Sequence, residues 1–416
     1  MPLPPLCEPG PPLTREEVRR YSRHLLLEQL GELGQRRLRA ARVLVMGAGG
    51  LGSPILHYLA AAGVGHIGIV DDDVVEETNL QRQVLHTTAD VGRPKVESAA
   101  AHVRALNDAV AVTPYHLRLD ATNARQTLEG YDIVLDGTDN FPTRYLVADV
   151  CADLGIPLVW GSILRFDAQV AVFWSAPLQP AEGPGYPSLT LRDLFPAPPP
   201  PGATPSCGQA GVLGAMCGQV GSLMAAEAVK LVTGVGEPLL GRVAVLDVLS
   251  ARWSELPLRP RPDPAPPASR AELGYDPLGV PVTSNAAAVL AAEPDPDTVA
   301  DDGPALSARE LAERLAARER GEDDFVLLDV REPTERAIVS IPGARCVPLE
   351  RLIADPHAAA EVGVEPGTPV VVHCLSGGRS AQAQQILREA GYADVTNLTG
   401  GVRAWVTEVD PSLPVY

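Results

Sequence analysis

The sequence contains almost no lysine and no long hydrophobic run. Only two of its 34 cationic residues are lysines, Lys95 and Lys230. A lysine retained against such a bias for arginine indicates a position that needs a compact ammonium group, as phosphate sites do. No stretch reaches the roughly 18 unbroken apolar residues of a membrane span, and the first residues lack the basic and apolar segments of a secretory signal. We therefore expect a cytoplasmic protein without membrane association.

Positive net charge and paired cysteines are also missing. The formal net charge of −18 argues against a surface that binds nucleic acid. No C-x-x-C pair occurs, although structural zinc sites are usually built from such pairs. We therefore expect no zinc site, and free thiols in a reducing compartment. The cysteines are Cys7, Cys151, Cys207, Cys217, Cys346 and Cys374.

Chain length and composition predict two domains joined by a linker. Up to residue 258, short apolar runs alternate with helical stretches, which is typical of a mostly parallel, Rossmann-like sheet flanked by helices. Residues 259–304 are rich in proline and acid and are predicted to be an extended linker. Residues 305–416 return to an α/β pattern of about one small domain. The predicted organisation is therefore 1–258, 259–304 and 305–416.

Several elements are predicted from local patterns. Thr14 followed by Glu17 predicts a capping-box start for a helix that continues through residues 21–30. A proline-rich run at 196–205 is predicted to be a surface crossover loop. Strands are predicted at 42–46, 66–71, 132–136, 157–162, 168–174 and 242–247 in the first domain, and at 325–330, 369–373 and 395–398 in the second. Helices are predicted there at 307–318 and 380–390.

A glycine-rich turn, GAGGLG at 47–52, follows a predicted strand and opens a predicted helix. Such glycines permit a tight turn, and the N–H groups of the helix start bind an anion. Asp71, at the end of the next strand, would accept hydrogen bonds from ribose hydroxyls. This motif alone predicts a dinucleotide site, so an NAD(P)-dependent oxidoreductase is one alternative.

Three further charged residues favour a nucleotide that reacts. Arg82 and Lys95 follow the second strand, where they would neutralise the outer phosphates of a triphosphate. Asp139 follows the strand that ends at Asp136 and is placed to hold Mg²⁺ on those phosphates. Such a clamp is useful when a bond between phosphates breaks and charge develops, which favours nucleotidyl or phosphoryl transfer over hydride transfer. Asp136 either caps its turn or contributes to the site, so we assign the metal to Asp139.

Six segments in fixed order extend this pattern: RYSRHLLL, GAGGLGSP, TNLQRQVLH, GRPKVESA, DGTDNFPTR and SCGQAGVLG. Together they resemble the molybdopterin-synthase adenylyltransferase family, relatives of the ubiquitin-activating enzymes, over residues 14–258. The resemblance implies an ATP- and magnesium-dependent homodimer. It also implies that the enzyme adenylates the C-terminal glycine of a small ubiquitin-fold sulfur-carrier protein.

The resemblance implies roles for individual residues. Arg82, Lys95 and Asp139 would act in catalysis, and Arg23 matches an arginine that reaches the ATP of the neighbouring subunit. Nucleotide contacts are implied for Gly47, Gly49, Gly50, Gly52, Asp71, Thr78, Asn79, Leu80, Gln81, Arg82, Lys95, Asp139 and Asn140.

This region lacks the cysteines of the family's zinc site. Many family members hold zinc with two C-x-x-C pairs, but GYPS at 185–188 and RPRPDPAPP at 259–267 stand there without cysteine.

Cys207, in PSCGQAG, is either a core thiol or a nucleophile. The resemblance favours the nucleophile, which would attack the acyl-adenylate or accept sulfur.

A second chemical motif is HCLSGGRS at 373–380. Cys374 follows an apolar strand and lies in a glycine-containing turn that starts a helix, where backbone N–H groups stabilise anionic sulfur. Arg379 adds positive charge. Only four residues separate Cys374 from Arg379, so the ring is smaller than a phosphate-binding loop and better matched to sulfur.

This loop, with LLDVREPTE, IPGA and LTGGVRAW, resembles the rhodanese sulfurtransferases over residues 305–416. The resemblance implies that Cys374 carries a persulfide. Leu375 and the pair Val339-Ser340 depart from residues that are common in that family. An inactive rhodanese module used only for docking is the alternative.

The two regions together predict an enzyme that is both an adenylyltransferase and a sulfurtransferase. Cys374 would be loaded by a donor such as thiosulfate or a cysteine desulfurase. The product would be a carrier thiocarboxylate, used for molybdenum-cofactor synthesis or related sulfur transfer. The other hypotheses are an NAD(P)-dependent oxidoreductase with an accessory rhodanese tail and a carrier-binding scaffold without turnover.

Overall fold

The computed structural model describes residues 3–180, 185–198, 211–261 and 303–414. The chain divides into two compact units, Met1–Ala286 and Ala287–Tyr416. Most of the predicted linker and of the predicted crossover loop lies outside the described residues, as does Cys207. The exact domain boundaries therefore stay a prediction.

The first unit contains an eight-stranded sheet in the order β3-β2-β1-β4-β5-β6-β7-β8. Neighbouring strands from β3 to β5 run parallel, and those from β5 to β8 run antiparallel. The strands are β1 Arg42–Met46, β2 His66–Val70, β3 Ala111–Tyr115, β4 Ile133–Asp136, β5 Leu158–Leu164, β6 Asp167–Phe173, β7 Arg242–Asp247 and β8 Arg252–Pro257.

Helices cover the parallel half of this sheet. All four residues of β4 are buried, as expected for a parallel strand with helices on both faces. One close approach depends on glycine, because a Cβ atom on Gly221 would lie 2.4 Å from Cγ of Pro54. The helices are α1 Arg15–Arg20, α2 Ser22–Leu25, α3 Gly31–Ala40, α4 Gly52–Ala62, α5 Lys95–Leu106, α6 Ala124–Leu128, α7 Phe141–Leu154, α8 Leu191–Leu194 and α9 Gly214–Thr233.

The order of the strands fixes the place of the site. Strand β1 lies between β2 and β4, with Met46 in register with both Val70 and Asp136. The segments that follow these three strands therefore emerge at the same edge of the sheet. Because the chain leaves β1 towards β2 on one side and reaches β4 on the other, this edge is a switch point where α/β proteins bind ligands.

The N-terminal helix differs from its prediction. The capping box of Thr14 and Glu17 is present, but α1 ends at Arg20 and does not continue through residue 30. Tyr21 is buried, and its hydroxyl accepts a hydrogen bond from Nδ2 of Asn107 at 2.9 Å. This anchored side chain turns the chain, so a short helix and a turn replace the predicted continuous helix.

The second unit is a smaller α/β domain. Its five-stranded sheet has the order β11-β10-β12-β13-β9, and every neighbouring pair is parallel. Its two apolar clusters are centred on different residues, Val370 and Val372 in one and Val371 and Trp405 in the other. The alternation along one strand shows a core on each face of the sheet.

The elements of the second unit alternate in the same way as those of the first. The strands are β9 Ala305–Leu306, β10 Val326–Asp329, β11 Arg345–Cys346, β12 Val370–His373 and β13 Val395–Leu398. The helices are α10 Ala308–Glu319, α11 Pro333–Ile338, α12 Leu349–Ala354, α13 Gly378–Glu389 and α14 Gly401–Glu408. The predicted fold class, a mostly parallel Rossmann-like sheet plus a small α/β domain, is confirmed. Within the described ranges, every helix is too short or too polar to traverse a bilayer.

Candidate functional sites

The glycine-rich turn connects β1 to α4. Gly47 has a φ of +85°, a conformation that favours glycine. A Cβ atom on Gly52 would lie only 1.9 Å from the carbonyl oxygen of Gly47, so no larger residue fits there. The turn therefore presents its backbone, and the start of an 11-residue helix, to the switch point.

Asp71 braces this turn. Its Oδ2 accepts a hydrogen bond from the Ala48 amide at 2.8 Å, and its Oδ1 accepts one from the Asp73 amide at 2.9 Å. Burial raises the pKa of Asp71, and the nearby charge of Lys95 opposes this rise only in part. The carboxylate thus holds the glycine turn in place, and its contact with a ribose stays a prediction.

Lys95 is the first residue of α5 and reaches the same region. Its side chain is buried, and Nζ donates a hydrogen bond to Oδ2 of Asp73 at 2.6 Å. The Lys95 amide also donates to the Asp73 carbonyl at 2.9 Å. Asp73 was not among the predicted site residues, although three consecutive acids after a buried strand were a visible signal. This pairing places the ammonium group beside Asp71.

Arg82 follows a 3₁₀ turn at Glu77–Asn79. Its Nη1 donates to the Thr78 carbonyl at 3.1 Å, and its Cγ lies 3.6 Å from where a Cβ atom on Gly50 would be. Helix α9 supports this segment, because a Cβ atom on Gly214 would come within 2.2 Å of the Gln81 carbonyl oxygen. The stem of Arg82 therefore lies over the glycine turn, as its predicted role requires.

The loop after β4 carries Asp139, which is exposed. Asp136 is fully buried, and its Oδ1 accepts from the Thr138 amide at 2.9 Å and the Thr138 hydroxyl at 2.7 Å. Burial raises the pKa of Asp136, which the positive charge of Arg144 opposes. Asp136 thus caps the turn, one of the two roles considered for it. Asn140 caps α7 by accepting from the Thr143 amide at 2.9 Å.

Arg144 fixes the other side of this loop and was not predicted. It is buried and donates to the Thr138 carbonyl through Nε at 3.0 Å and Nη2 at 2.7 Å. Its Nη1 donates to Oγ of Ser162 at 2.9 Å. Arg144 is the last residue of the DGTDNFPTR segment, so its place in this motif was the signal that the sequence offered. Because the amide and the carbonyl of Thr138 are both hydrogen-bonded, the loop that carries Asp139 has a defined position beside β1.

Two predicted residues are not joined to this group. Arg23 is exposed on α2, where its neighbour His24 hydrogen-bonds through Nδ1 to Oε1 of Gln35 in α3 at 2.9 Å. Cys207 lies outside the described residues. The structure therefore brings together the glycine turn, Asp71, Arg82 and Lys95, with the Asp139 loop alongside.

In the second unit, Cys374 lies directly after β12. The side chain is buried, and its Sγ accepts hydrogen bonds from the Gly377 amide at 3.1 Å and the Ser380 hydroxyl at 3.4 Å. Gly377 has a φ of +119° and caps the 12-residue helix α13. Two hydrogen-bond donors and the N-terminus of α13 therefore lie around this sulfur.

A second helix start closes the loop from the other side. The amides of Val402 and Arg403 donate to the carbonyls of Cys374 and Leu375, both at 2.9 Å. A Cβ atom on Gly401 would lie 2.5 Å from the Cys374 carbonyl oxygen. The second glycine of LTGGVRAW, Gly401, is therefore needed for this close approach.

Arg379 is paired with an acid and does not point a free charge at the sulfur. Its Nη1 and Nη2 donate to the two carboxylate oxygens of Glu335 at 2.8 and 2.7 Å. Burial alone would raise the pKa of Glu335, but the hydrogen bonds and charge of Arg379 hold it below its ordinary value. Glu335 was not predicted, although it ends the LLDVREPTE segment.

Buried charged groups lie next to the cysteine loop. Asp329 and Arg331 are fully buried and joined by two hydrogen bonds, Nε to Oδ1 at 3.0 Å and Nη2 to Oδ2 at 2.7 Å. His373, next to Cys374, is also fully buried, and burial lowers its pKa to about 4. It is therefore neutral at physiological pH and adds no charge to the thiol site.

These two sites define the class of protein. A glycine turn with convergent arginine and lysine at the switch point of the first unit, and a cysteine cradle in the second, indicate a nucleotide-dependent transferase joined to a sulfur-handling domain. Residues 21–267 match the ThiF family, and residues 307–408 match the rhodanese-like domain. The chain belongs to the ThiF family and carries a C-terminal rhodanese-like domain.

Similar proteins have the same combination. The probable adenylyltransferase/sulfurtransferase MoeZ of Mycobacterium tuberculosis (strain H37Rv) is 45% identical over 100% of this chain and 99% of its own length. The Bos taurus adenylyltransferase and sulfurtransferase MOCS3 is 39% identical over 100% of this chain and 90% of its own. The Thermus thermophilus sulfur carrier protein adenylyltransferase is 53% identical over 60% of this chain and 90% of its own.

The comparison with solved structures concerns the fold alone. E. coli MccB, crystallised with AMPCPP and MccA, matches with a TM-score of 0.50 at 22% identity, over 60% of this chain and 73% of that one. The family and the relatives that span the whole chain show an enzyme with adenylyltransferase and sulfurtransferase activities.

Proposed function

We propose that the first unit uses ATP and Mg²⁺ to adenylate the C-terminal glycine of a small ubiquitin-fold sulfur carrier. Cys374 of the second unit then supplies sulfur to give a carrier thiocarboxylate, for molybdenum-cofactor synthesis or related sulfur transfer. The main observation behind this proposal is that the glycine turn, Arg82 and Lys95 lie together at one edge of the sheet. The name of the Thermus thermophilus relative supports a sulfur carrier as the substrate.

In the first step, a carboxylate oxygen of the carrier attacks the α-phosphorus of ATP, and pyrophosphate leaves. The glycine turn and the start of α4 would face the phosphates, and Arg82 and Lys95 would neutralise charge that develops on the leaving group. Asp139 fits a magnesium role, because it is an exposed carboxylate on a loop fixed at the Thr138 peptide. Bound Mg²⁺ would neutralise phosphate charge.

In the second step, the terminal sulfur of a Cys374 persulfide attacks the acyl carbonyl, and AMP leaves. The resulting acyl disulfide is cleaved by a thiol, for which Cys207 is the candidate from the sequence. This releases the thiocarboxylate and leaves a Cys374–Cys207 disulfide, which a cellular thiol reduces. The hydrogen bonds from Gly377 and Ser380 to Cys374 Sγ support an anionic sulfur there.

Exposed apolar residues support a carrier-docking surface on the antiparallel half of the sheet. Strand β8 is an edge strand with all six residues exposed. The turn after β7 is tied to the turn before β6, because the Val248 amide donates to the Phe166 carbonyl at 3.0 Å. Large exposed apolar side chains at a sheet edge are candidates for contact with a partner. The exposed residues are Leu164, Phe166, Leu249, Trp253 and Leu256.

A second apolar group supports the homodimer. Leu26 and Leu27, which are 74% and 53% exposed, lie three and four positions after Arg23, and Val18 and Leu33 nearby are also exposed. Burying these side chains against a second copy would bring Arg23 to the neighbouring subunit, where it would contact ATP.

The proposed sulfur donor to Cys374 is thiosulfate or a cysteine desulfurase.

Carrier-dependent exchange of labelled pyrophosphate into ATP tests the adenylation step. We expect exchange in the wild type and loss of at least about 100-fold in Lys95→Ala and in Asp139→Ala. Arg104→Ala is the matched control, since Arg104 lies at the opposite end of α5 from Lys95, and it should retain activity. Background exchange by a wild type that still binds ATP and carrier would indicate a scaffold, and nicotinamide binding would indicate an oxidoreductase.

Intact-mass measurement of the carrier tests the sulfur step. With ATP and thiosulfate, the carrier terminus should exchange a hydroxyl for a thiol. Cys374→Ala should keep pyrophosphate exchange and lose the thiocarboxylate. A thiocarboxylate made equally well by Cys374→Ala would contradict the role of the second unit.

A further inference from the structure

His86 is a conspicuous residue to which the proposed function gives no role. It ends the TNLQRQVLH segment and is 5% exposed. One ring nitrogen, Nε2, lies 2.9 Å from the Ala48 carbonyl oxygen in the glycine turn. The other, Nδ1, lies 2.9 Å from Oγ of Ser98 in α5. A single rigid side chain therefore spans the turn and the helix that begins with Lys95.

These contacts show which ring nitrogen donates to the glycine turn. A carbonyl oxygen only accepts hydrogen bonds, so Nε2 carries the proton and donates to Ala48. Nδ1 is hydrogen-bonded to the Ser98 hydroxyl. Burial has the largest effect and lowers the pKa of His86, while its hydrogen bond to the Ala48 carbonyl and the charge of Asp90 oppose this effect.

The bonds of His86 are part of a closed circuit. The Ala48 amide donates to Asp71, and Asp71 in turn accepts from the Asp73 amide. The Asp73 carboxylate accepts from Lys95 Nζ. Lys95 lies one turn before Ser98 in α5, so the circuit returns to its start. It links the glycine turn, the acid after β2 and the lysine of α5, three segments far apart in sequence.

We propose that His86 is a positioning residue for ATP, which sets the separation between the amides of the glycine turn and the Lys95 ammonium group. Without it, the hydrogen-bonded connection that remains between the turn and the start of α5 runs through Asp71 and Asp73. The phosphates of ATP, which must contact both the glycine turn and Lys95, would then bind in a wider range of geometries. Small displacements of this kind are costly in a site that depends on positioning.

The inference rests on the proposed adenylation and predicts a specific kinetic change. His86→Phe removes both hydrogen bonds and keeps a ring of similar shape. We expect a rise of roughly 10-fold in the KM for ATP, in line with the loss of buried hydrogen bonds, and a KM for the carrier within about twofold of wild type. His86→Gln, which can still donate to the Ala48 carbonyl, should recover most of the affinity for ATP.

His66→Phe is the matched control. His66 also makes a side-chain hydrogen bond, from Nε2 to Oγ1 of Thr113 at 2.8 Å, but it begins β2 and so lies at the opposite edge of the sheet. Loss of stability alone would affect both variants, whereas only His86→Phe should change the KM for ATP. Ser98→Ala, which removes the hydrogen-bond partner of Nδ1, gives a second route if His86→Phe does not fold.

Two outcomes would overturn the inference while leaving the proposed function intact. One is an active wild type with a His86→Phe variant whose KM for ATP changes less than twofold. The other is an equal rise in the KM for ATP and for the carrier. Absence of pyrophosphate exchange in the wild type would instead contradict the proposed function itself.

Discussion

At the scale of single residues, the ion pair of Glu335 and Arg379 is the most specific feature of the sulfur site. The side chains are only 9% and 17% exposed, and the contact is bidentate. Breaking such a pair by removing one partner leaves a charge with poor solvation. Glu335→Gln should therefore lower the free energy of unfolding by about 3 kcal/mol at neutral pH.

The pH dependence of this loss follows from the lowered pKa of Glu335. A carboxyl whose pKa is lower in the folded state stabilises the fold above its unfolded pKa and loses that effect as the pH falls through its folded pKa. The gap between wild type and Glu335→Gln should be full at pH 7 and shrink below about pH 4.5. Thermal or urea unfolding at several pH values measures it.

An exposed pair in the same unit gives the control for this prediction. Arg351 and Glu361 are 56% and 59% exposed and lie 2.7 Å apart. Surface pairs of this kind contribute little, so Glu361→Gln should change stability by less than about 1 kcal/mol at any pH. Equal losses in the two variants would show that enclosure of the Glu335 pair has no energetic consequence.

Residues differ in how far the sequence predicts them. Arg82 and Lys95 stand in recognisable segments, and the structure places both beside the glycine turn, although their action on ATP stays a prediction. His86 and Arg144 lie in the same segments, yet their importance depends on backbone carbonyls that only folding brings within reach. Arg379 is conspicuous in the sequence, but the acid that neutralises it lies 44 positions away.

At the scale of elements, strand β8 carries the carrier-docking hypothesis. Trp253 is 43% exposed on this edge strand, where large aromatic side chains often dominate binding. Trp253→Glu should raise the KM for the carrier by roughly 10-fold or more and leave the KM for ATP nearly unchanged. Pyrophosphate exchange at varied carrier and ATP concentrations measures both values.

The control for Trp253 is an apolar residue of similar exposure elsewhere. Leu106 is 42% exposed at the end of α5, and Leu106→Glu should leave the carrier KM unchanged. If both variants bind the carrier as well as the wild type does, the docking surface lies on another element.

Strand prediction succeeded where burial produces a clear pattern. Strands β1, β7 and β13 have the predicted bounds. In β1 and β7 an apolar run between turns, characteristic of buried strands, is the reason. Strands β3 and β8 were missed. Ala111–Tyr115 contains a proline, and Arg252–Pro257 is largely polar, since both lie at the edges of the sheet and have fewer neighbours to exclude water.

At the scale of the whole molecule, the proposed dimer predicts that one active site uses residues from two chains. Arg23 would come from one subunit, and Lys95 from the other. Arg23→Ala and Lys95→Ala homodimers should each lose pyrophosphate exchange, because every site in them lacks one of the two residues. Light scattering of both variants should still show dimers.

Mixed dimers of these two variants should recover activity. In a dimer with one subunit of each kind, one site has both substitutions and the other has intact Arg23 and Lys95. Random reassembly of equal amounts makes half of the dimers mixed, so about a quarter of the wild-type activity should return. A mixture of Lys95→Ala with Asp139→Ala is the control and should stay inactive, since both residues would belong to the same subunit's site. Recovery in the control, or none in the Arg23 mixture, would contradict a site shared between subunits.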